Sequence, residues 1–111
     1  PKTATPSQTA DDFARRYLGR KPNTEDFERG SEMNGGDCSG CWRSQTSDGA
    51  WVVYRPAGKA GKDTLPTTAT VEINNSSAIQ SINSGKNLKL KFPKFFFPKS
   101  IKNLNFRLIL F

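Results

Sequence analysis

Two short alternating runs in the second half of the chain each offer one apolar face and one chemical face. Through Thr68-Ala69-Thr70-Val71-Glu72-Ile73-Asn74, residues Ala69, Val71 and Ile73 fall on one side and Thr68, Thr70, Glu72 and Asn74 on the other, the period of two that predicts a strand. Leu88-Lys89-Leu90-Lys91-Phe92 repeats the pattern, with Leu88, Leu90 and Phe92 inward and Lys89 and Lys91 outward. Paired in one sheet, the runs set a lone carboxylate beside two ammonium groups, a place suited to phosphate chemistry. Upstream, Trp42 to Thr46 and Trp51 to Arg55 flank the turn Ser47-Asp48-Gly49, and Pro56 stops the second run, which predicts a hairpin. On that second strand Trp51, Val53 and Arg55 share one face and Val52 and Tyr54 the other. The pattern leaves open which face is buried. With Arg55 outward a guanidinium joins Glu72 and the lysines; with Tyr54 outward a phenol does.

The first half changes period. Ala10, Phe13, Ala14, Tyr17 and Leu18 recur at helical spacing; Thr9 is placed to cap the helix, Asp11 and Asp12 suit its positive end, and Gly19 with Pro22 ends it. Pro1 to Ser7 is predicted to be a flexible lead-in. Asn23 to Gly40 is polar and without clear period, which predicts a loop holding one helical turn around Thr24 to Glu28. Ser76 or Ser77 can cap a short helix with Ala78, Ile79 and Ile82 on one side and Gly85 at its end. Beyond Pro93, Phe95-Phe96-Phe97 and Asn103 to Phe111 suit an extra strand, a membrane-seeking tail or a partner-binding segment. At 111 residues the chain is one domain by length. No run approaches the roughly 20 apolar residues of a membrane span, so a soluble protein without such a span is expected. Pro1-Lys2-Thr3-Ala4-Thr5-Pro6 shows neither an initiator Met nor a signal-peptide pattern, so the chain is expected to be a piece of a longer polypeptide.

Charge narrows the partners. The net charge of +7 is one-sided: residues 1–50 carry seven basic against eight acidic groups, net −1, and residues 51–111 ten against two, net +8. From Lys86 onward there are seven basic side chains and no acidic one. Such a surface attracts polyanions by counterion release, which makes nucleic acid the first partner to consider; a solvated lysine-rich surface is the plainer alternative. Histidine is absent, so any catalysis must use carboxylate, Lys, Arg, Tyr, hydroxyl or Cys. Cys38-Ser39-Gly40-Cys41 cannot close a tetrahedral zinc site alone and lacks the βαβ setting of a thioredoxin-like centre, leaving a local disulfide or two unpaired thiols. Arg15, Arg16 and Arg20 lie largely off the apolar stripe and suit either an RNA backbone or solvent. Gly58, Lys59, Gly61 and Lys62 lie in a basic loop able to close over a nucleic-acid backbone, though without the Gly-Lys-Ser/Thr helix start of a phosphate-cradling loop.

The phrases Ser-Asp-Gly-Ala-Trp-Val-Val-Tyr-Arg-Pro-Ala-Gly-Lys-Ala (47–60), Thr-Thr-Ala-Thr-Val-Glu-Ile-Asn (67–74) and Leu-Lys-Leu-Lys-Phe-Pro-Lys (88–94), in that order, resemble C-terminal toxin domains of bacterial contact-dependent growth inhibition and other polymorphic toxin proteins. Within these the chain is similar to the ribonuclease superfamily that includes barnase, EndoU, certain tRNA-cutting colicins and RelE. The resemblance spans about Gln8 to Lys94. It implies an α+β fold, with an N-terminal helix or helices packed on a twisted antiparallel sheet of about four to five strands. Residues 1–7 would be the lead-in and 8–111 a single toxin domain, helical over about 8–40 and sheet over about 42–111. It also implies metal-free cutting of RNA, often tRNA, without a cofactor. The toxin would be delivered by secretion or from the cell surface as part of a larger effector, act in the target-cell cytoplasm, and be neutralised by a cognate immunity protein.

Metal-free RNA cleavage needs the ribose 2′-hydroxyl deprotonated, the phosphorane stabilised and the leaving 5′-oxygen protonated. Glu72 is the only carboxylate after Asp63 and is the candidate base, or the group that orients one. Arg55, Lys89 and Lys91 would stabilise charge on phosphate, and Thr70 would bond a non-bridging oxygen. Lys89 beside a second cation is a candidate for proton transfer, and Tyr54 is the reserve donor. Trp51 would stack on a base, while Lys86, Lys59 and Lys62 would join Lys91 in holding RNA. The competing picture is a cross-strand ion pair worth at most about 1 kcal/mol in a non-catalytic basic nucleic-acid-binding module. A third is a protein-binding domain whose acidic partner can itself be an immunity protein.

Overall fold

The computed structural model describes residues 4–94; the segments Phe95-Phe96-Phe97 and Asn103 to Phe111 lie outside them. Strands β1 (Trp42–Gln45), β2 (Trp51–Arg55), β3 (Ala69–Asn74) and β4 (Leu88–Phe92) form one sheet in sequence order, each antiparallel to the next. The class is therefore α+β, with four strands among the described residues. Register aligns Arg43, Val53, Glu72 and Lys89 in one row across the sheet and Arg55, Thr70 and Lys91 in another. That register settles which face of β2 is inward: Val52 and Tyr54 join Trp42, Ala69 and Val71 in the core, and Trp51, Val53 and Arg55 take the opposite face.

Helix α1 (Pro6–Leu18) lies on the inner face. Ala10 and Ala14 are fully buried, and their small side chains let the helix backbone approach Trp42, Val52, Tyr54, Ala69 and Val71. Phe13 and Phe92, with ring centroids 6.0 Å apart, extend the core toward Ile73, Leu88 and Leu90. The helix begins earlier than Thr9: Thr5 is the cap, its hydroxyl accepting from the Gln8 amide at 3.1 Å while the Gln8 side chain accepts from the Thr5 amide at 2.9 Å. Pro6 occupies the first helical turn, where its missing N–H costs nothing. Pro6 and Ser7 thus belong to the folded domain rather than to a flexible lead-in. The Ser7 hydroxyl accepts from the Ala57 amide at 2.9 Å and its carbonyl from the Tyr54 hydroxyl at 3.1 Å.

A second helix, α2 (Thr24–Ser31), stands where a loop with a single turn is predicted. Its buried face consists of Asp26 and Gly30, four residues apart and so on one side, rather than of apolar residues. The helix lies along β1 and covers an edge strand that would otherwise be open to pairing with another chain. A Cβ on Gly30 would sit 2.2 Å from the Cys41 carbonyl oxygen and 2.4 Å from the Trp42 Cα. Both neighbours are backbone, so Gly30→Ala is expected to lose about 1 to 3 kcal/mol of stability, read from its urea midpoint. The short segment α3 (Met33–Gly36) follows, left-handed at Asn34 and Gly35. It leads to a disulfide between Cys38 and Cys41, both fully buried, which decides between the bridge and two thiols. Closing so short a loop constrains the unfolded chain only modestly, and reduction is expected to cost about 2 kcal/mol, measured as the shift in denaturation midpoint with and without reductant.

Helix α4 (Ser77–Ile82) connects β3 to β4, capped by the Ser76 hydroxyl on the Ile79 amide at 3.2 Å. Among the described residues no helix is long and apolar enough to cross a membrane.

Candidate active site

On the sheet face away from α1, the Arg55 guanidinium donates to the Glu72 carboxylate at 2.9 Å, with side chains 18% and 22% exposed. Arg55 is paired in register with Thr70, so Glu72, two residues further along β3, is its diagonal neighbour, within reach of a long side chain. The pair opens into a cavity of about 270 Å³ whose walls include Arg43 of β1, Trp51 and Val53 of β2, and Asn74 with Asn75 at the end of β3. Met33 closes one side and lies 3.7 Å from Arg55 through its sulfur. The Arg43 guanidinium lies over the Trp51 ring, 4.6 Å from its centroid, and that of Arg29 lies 5.8 Å from it, distances at which the ring's π-face attracts a cation.

The chain matches no family model, no curated protein and no solved structure. What the site can do is therefore read from its own groups.

Two guanidiniums and one carboxylate line the cavity, an excess of positive charge suited to an anion. Arg55 is committed to Glu72, whereas Arg43 has, among the described residues, only the Trp51 ring as partner. The carboxylate is held in place by its arginine and faces the cavity, the arrangement required of a positioned proton acceptor. Lys89 stands opposite Glu72 in register but does not line the cavity, and the ion pair of Glu72 is made with Arg55 instead.

The other candidates divide. Trp51 lines the cavity. Lys91 shares the face, opposite Thr70. Thr70 itself is fully buried, and its hydroxyl has no hydrogen-bond partner among the described residues. It does not reach the cavity, contrary to its expected contact with a phosphate oxygen. Tyr54 is misplaced by the expectation altogether: it lies on the inner face, 6% exposed, against Trp42 and α1. Burial, together with the negative charge of Asp11, pushes its phenol from 10 up to about 12. A raised phenol contributes stability that is complete below pH 10 and lost as pH rises through about 12. Tyr54→Phe is accordingly expected to show a shallower alkaline loss of stability than the parent between those limits, measured by denaturant titration at each pH.

Lys59 pairs with Asp37 at 3.3 Å, and its carbonyl accepts from the Asn34 side chain at 2.8 Å, which ties the basic loop to α3. Lys62 in the same loop is exposed. Lys86 is exposed in the turn before β4. It lies near the Ile73–Leu88 end of the sheet, whereas Lys59 and Lys62 follow Arg55 at the other, so the lysines expected to hold RNA do not form one cluster. Arg43, Arg29, Met33 and Asn75 join the site without having been singled out from the pattern. Only Arg43 carried a signal, by alternation with the apolar Trp42.

Proposed function

We propose that this domain is a metal-independent ribonuclease of the toxin type, cutting RNA, with tRNA the first substrate to test. The observation that carries the proposal is the Arg55–Glu72 pair facing a cavity that also holds Arg43 and Trp51. A ribose-phosphate bound there meets a carboxylate able to take the 2′-hydroxyl proton and guanidiniums able to neutralise the phosphorane. The 2′-oxygen forms its bond to phosphorus as the bond to the 5′-oxygen breaks. Lys89 lies outside the cavity, so the leaving 5′-oxygen takes its proton from water. The products are a 2′,3′-cyclic phosphate and a 5′-hydroxyl end. Delivery from a larger effector into the cytoplasm of a competing cell, and capture by an acidic immunity protein over the basic face, complete the proposal; complementary charge would speed that capture.

Incubating the purified domain with total tRNA in EDTA tests it. Discrete fragments ending in 2′,3′-cyclic phosphate are the expected result. RNA retained intact, with binding that weakens steeply as salt rises, would replace the enzyme by a non-catalytic nucleic-acid-binding module.

A further inference from the structure

The far wall of the cavity carries two adjacent amides that the cleavage chemistry leaves unused. Asn74 ends β3 opposite Trp51, and Asn75 follows it. In a continuing strand, consecutive side chains point to opposite faces, so only one of them would line this cavity. Asn75 instead takes a left-handed backbone at φ 60, a conformation asparagine tolerates better than most residues. The alternation breaks there, and both amides line the cavity. The backbone turn is held by the Asn75 amide donating to the Asn87 side chain at 3.0 Å, which leaves the Asn75 side chain itself uncommitted: among the described residues neither asparagine side chain has a hydrogen-bond partner. Beside them lies the Trp51–Arg43 layer, an aromatic ring and a guanidinium plane, the two surfaces on which unstacked bases settle.

We propose that Asn74, Asn75, Trp51 and Arg43 form a subsite for one extruded nucleobase, and that the base is adenine. The assignment rests on the ribonuclease proposal in that it names the RNA the site would cut: single-stranded segments with adenine next to the scissile phosphate. A carboxamide presents a donor beside an acceptor, which matches adenine's N6 and N7 bidentately. The same edge of guanine offers two acceptors and is matched by a free guanidinium fork. Neither cavity arginine supplies one, since the Arg43 guanidinium is held over the Trp51 ring and Arg55 is bound to Glu72.

Deoxydinucleotides make the test independent of cleavage, because they lack the 2′-hydroxyl nucleophile. Their binding is followed by Trp51 fluorescence, the other tryptophan, Trp42, being fully buried in the core. The adenine-containing dinucleotides are expected to bind roughly tenfold or more tightly than those with only guanine, cytosine or thymine. Asn74→Ala and Asn75→Gly should each erase most of that preference. Glycine retains the left-handed backbone at position 75, so its effect reports the amide and not the turn. Equal binding of all four bases, a guanine preference, or a preference that survives both substitutions overturns the subsite. Adenine-selective binding by a domain that leaves tRNA intact would overturn the nuclease and keep the subsite; tRNA cleavage with cuts indifferent to base would do the reverse.

Discussion

Asp26→Ala is expected to destabilise the domain by about 3 kcal/mol, the lower end of what breaking a buried ion pair costs. The Asp26 carboxylate is fully buried in α2. It accepts from Arg20 at 2.9 Å, from the Asn23 amide at 2.9 Å and from Arg29. Arg20 also bonds the Ser44 hydroxyl of β1, so one carboxylate ties the end of α1, the start of α2 and the edge of the sheet together. The lower end applies because Arg20 and Arg29 remain 44% and 38% exposed, and water screens what they lose. Burial pushes the Asp26 carboxyl up, but the bonds from Arg20, the Asn23 backbone and Ser44, with the Arg20 charge, outweigh it and hold it below 3.8. A depressed carboxylate contributes stability that is complete above the unfolded pKa, and the contribution disappears as pH falls through the folded one. The parent should therefore lose stability below about pH 4, while Asp26→Asn, which keeps the shape without the charge, should lack that part of the acid limb. Urea denaturation at stepped pH reads both effects; an unchanged midpoint for Asp26→Ala would mean that the network contributes no net stability.

The same helix shows where the amino-acid pattern stops being informative. Strands β3 and β4 were legible because alternation of apolar and polar positions is a local property, and Ala69-Thr70-Val71-Glu72-Ile73 carries it without interruption; β1 and β2 were legible from the Asp48-Gly49 turn between them and from Pro56. Helix α2 was not, because its inward positions are an aspartate that finds two arginines and a glycine that clears a carbonyl. Neither is hydrophobic, so no apolar period exists to be read. The start of α1 is a different case: Thr5-Pro6-Ser7-Gln8 contains the spacing of a capping box, but Thr9 ahead of Asp11 and Asp12 offers a competing start of similar quality. Contacts at residues 7, 54 and 57 favour the earlier one.

For the site, alternation placed Glu72, Lys89 and Lys91 on one face. It is silent on which face of β2 meets them, and only the pairing of Arg55 with Thr70 and Val53 with Glu72 answers that. Tyr54 was lost by that answer and Arg43 gained. Met33 lines the cavity from α3 and Arg29 of α2 approaches the Trp51 ring beside it, across a packing contact made by Gly30 that has no local signature. The second cation of the cavity is Arg43, on a strand beside β2, and not Lys89 on β4.

On the proposed ribonuclease mechanism, Glu72→Gln is expected to lower the rate of tRNA cleavage by roughly a hundredfold to ten-thousandfold, the range contributed by a positioned proton acceptor. Glutamine keeps a carbonyl oxygen for Arg55 but cannot take the 2′-hydroxyl proton. The pair is less than a quarter exposed and also has a structural part, so the loss of rate must be separated from a loss of fold. Three variants do this: Glu72→Gln, Arg55→Ala and the double substitution, each measured for cleavage and for urea stability. If carboxylate and guanidinium act as one unit, the double variant cleaves about as slowly as the worse single one, because groups that act together are strongly non-additive. An ordinary ion pair predicts otherwise: cleavage would follow the folded fraction in all three, and at saturating stability Glu72→Gln would cut tRNA at the parent rate. That second outcome would remove Glu72 from the chemistry while leaving its place in the fold intact.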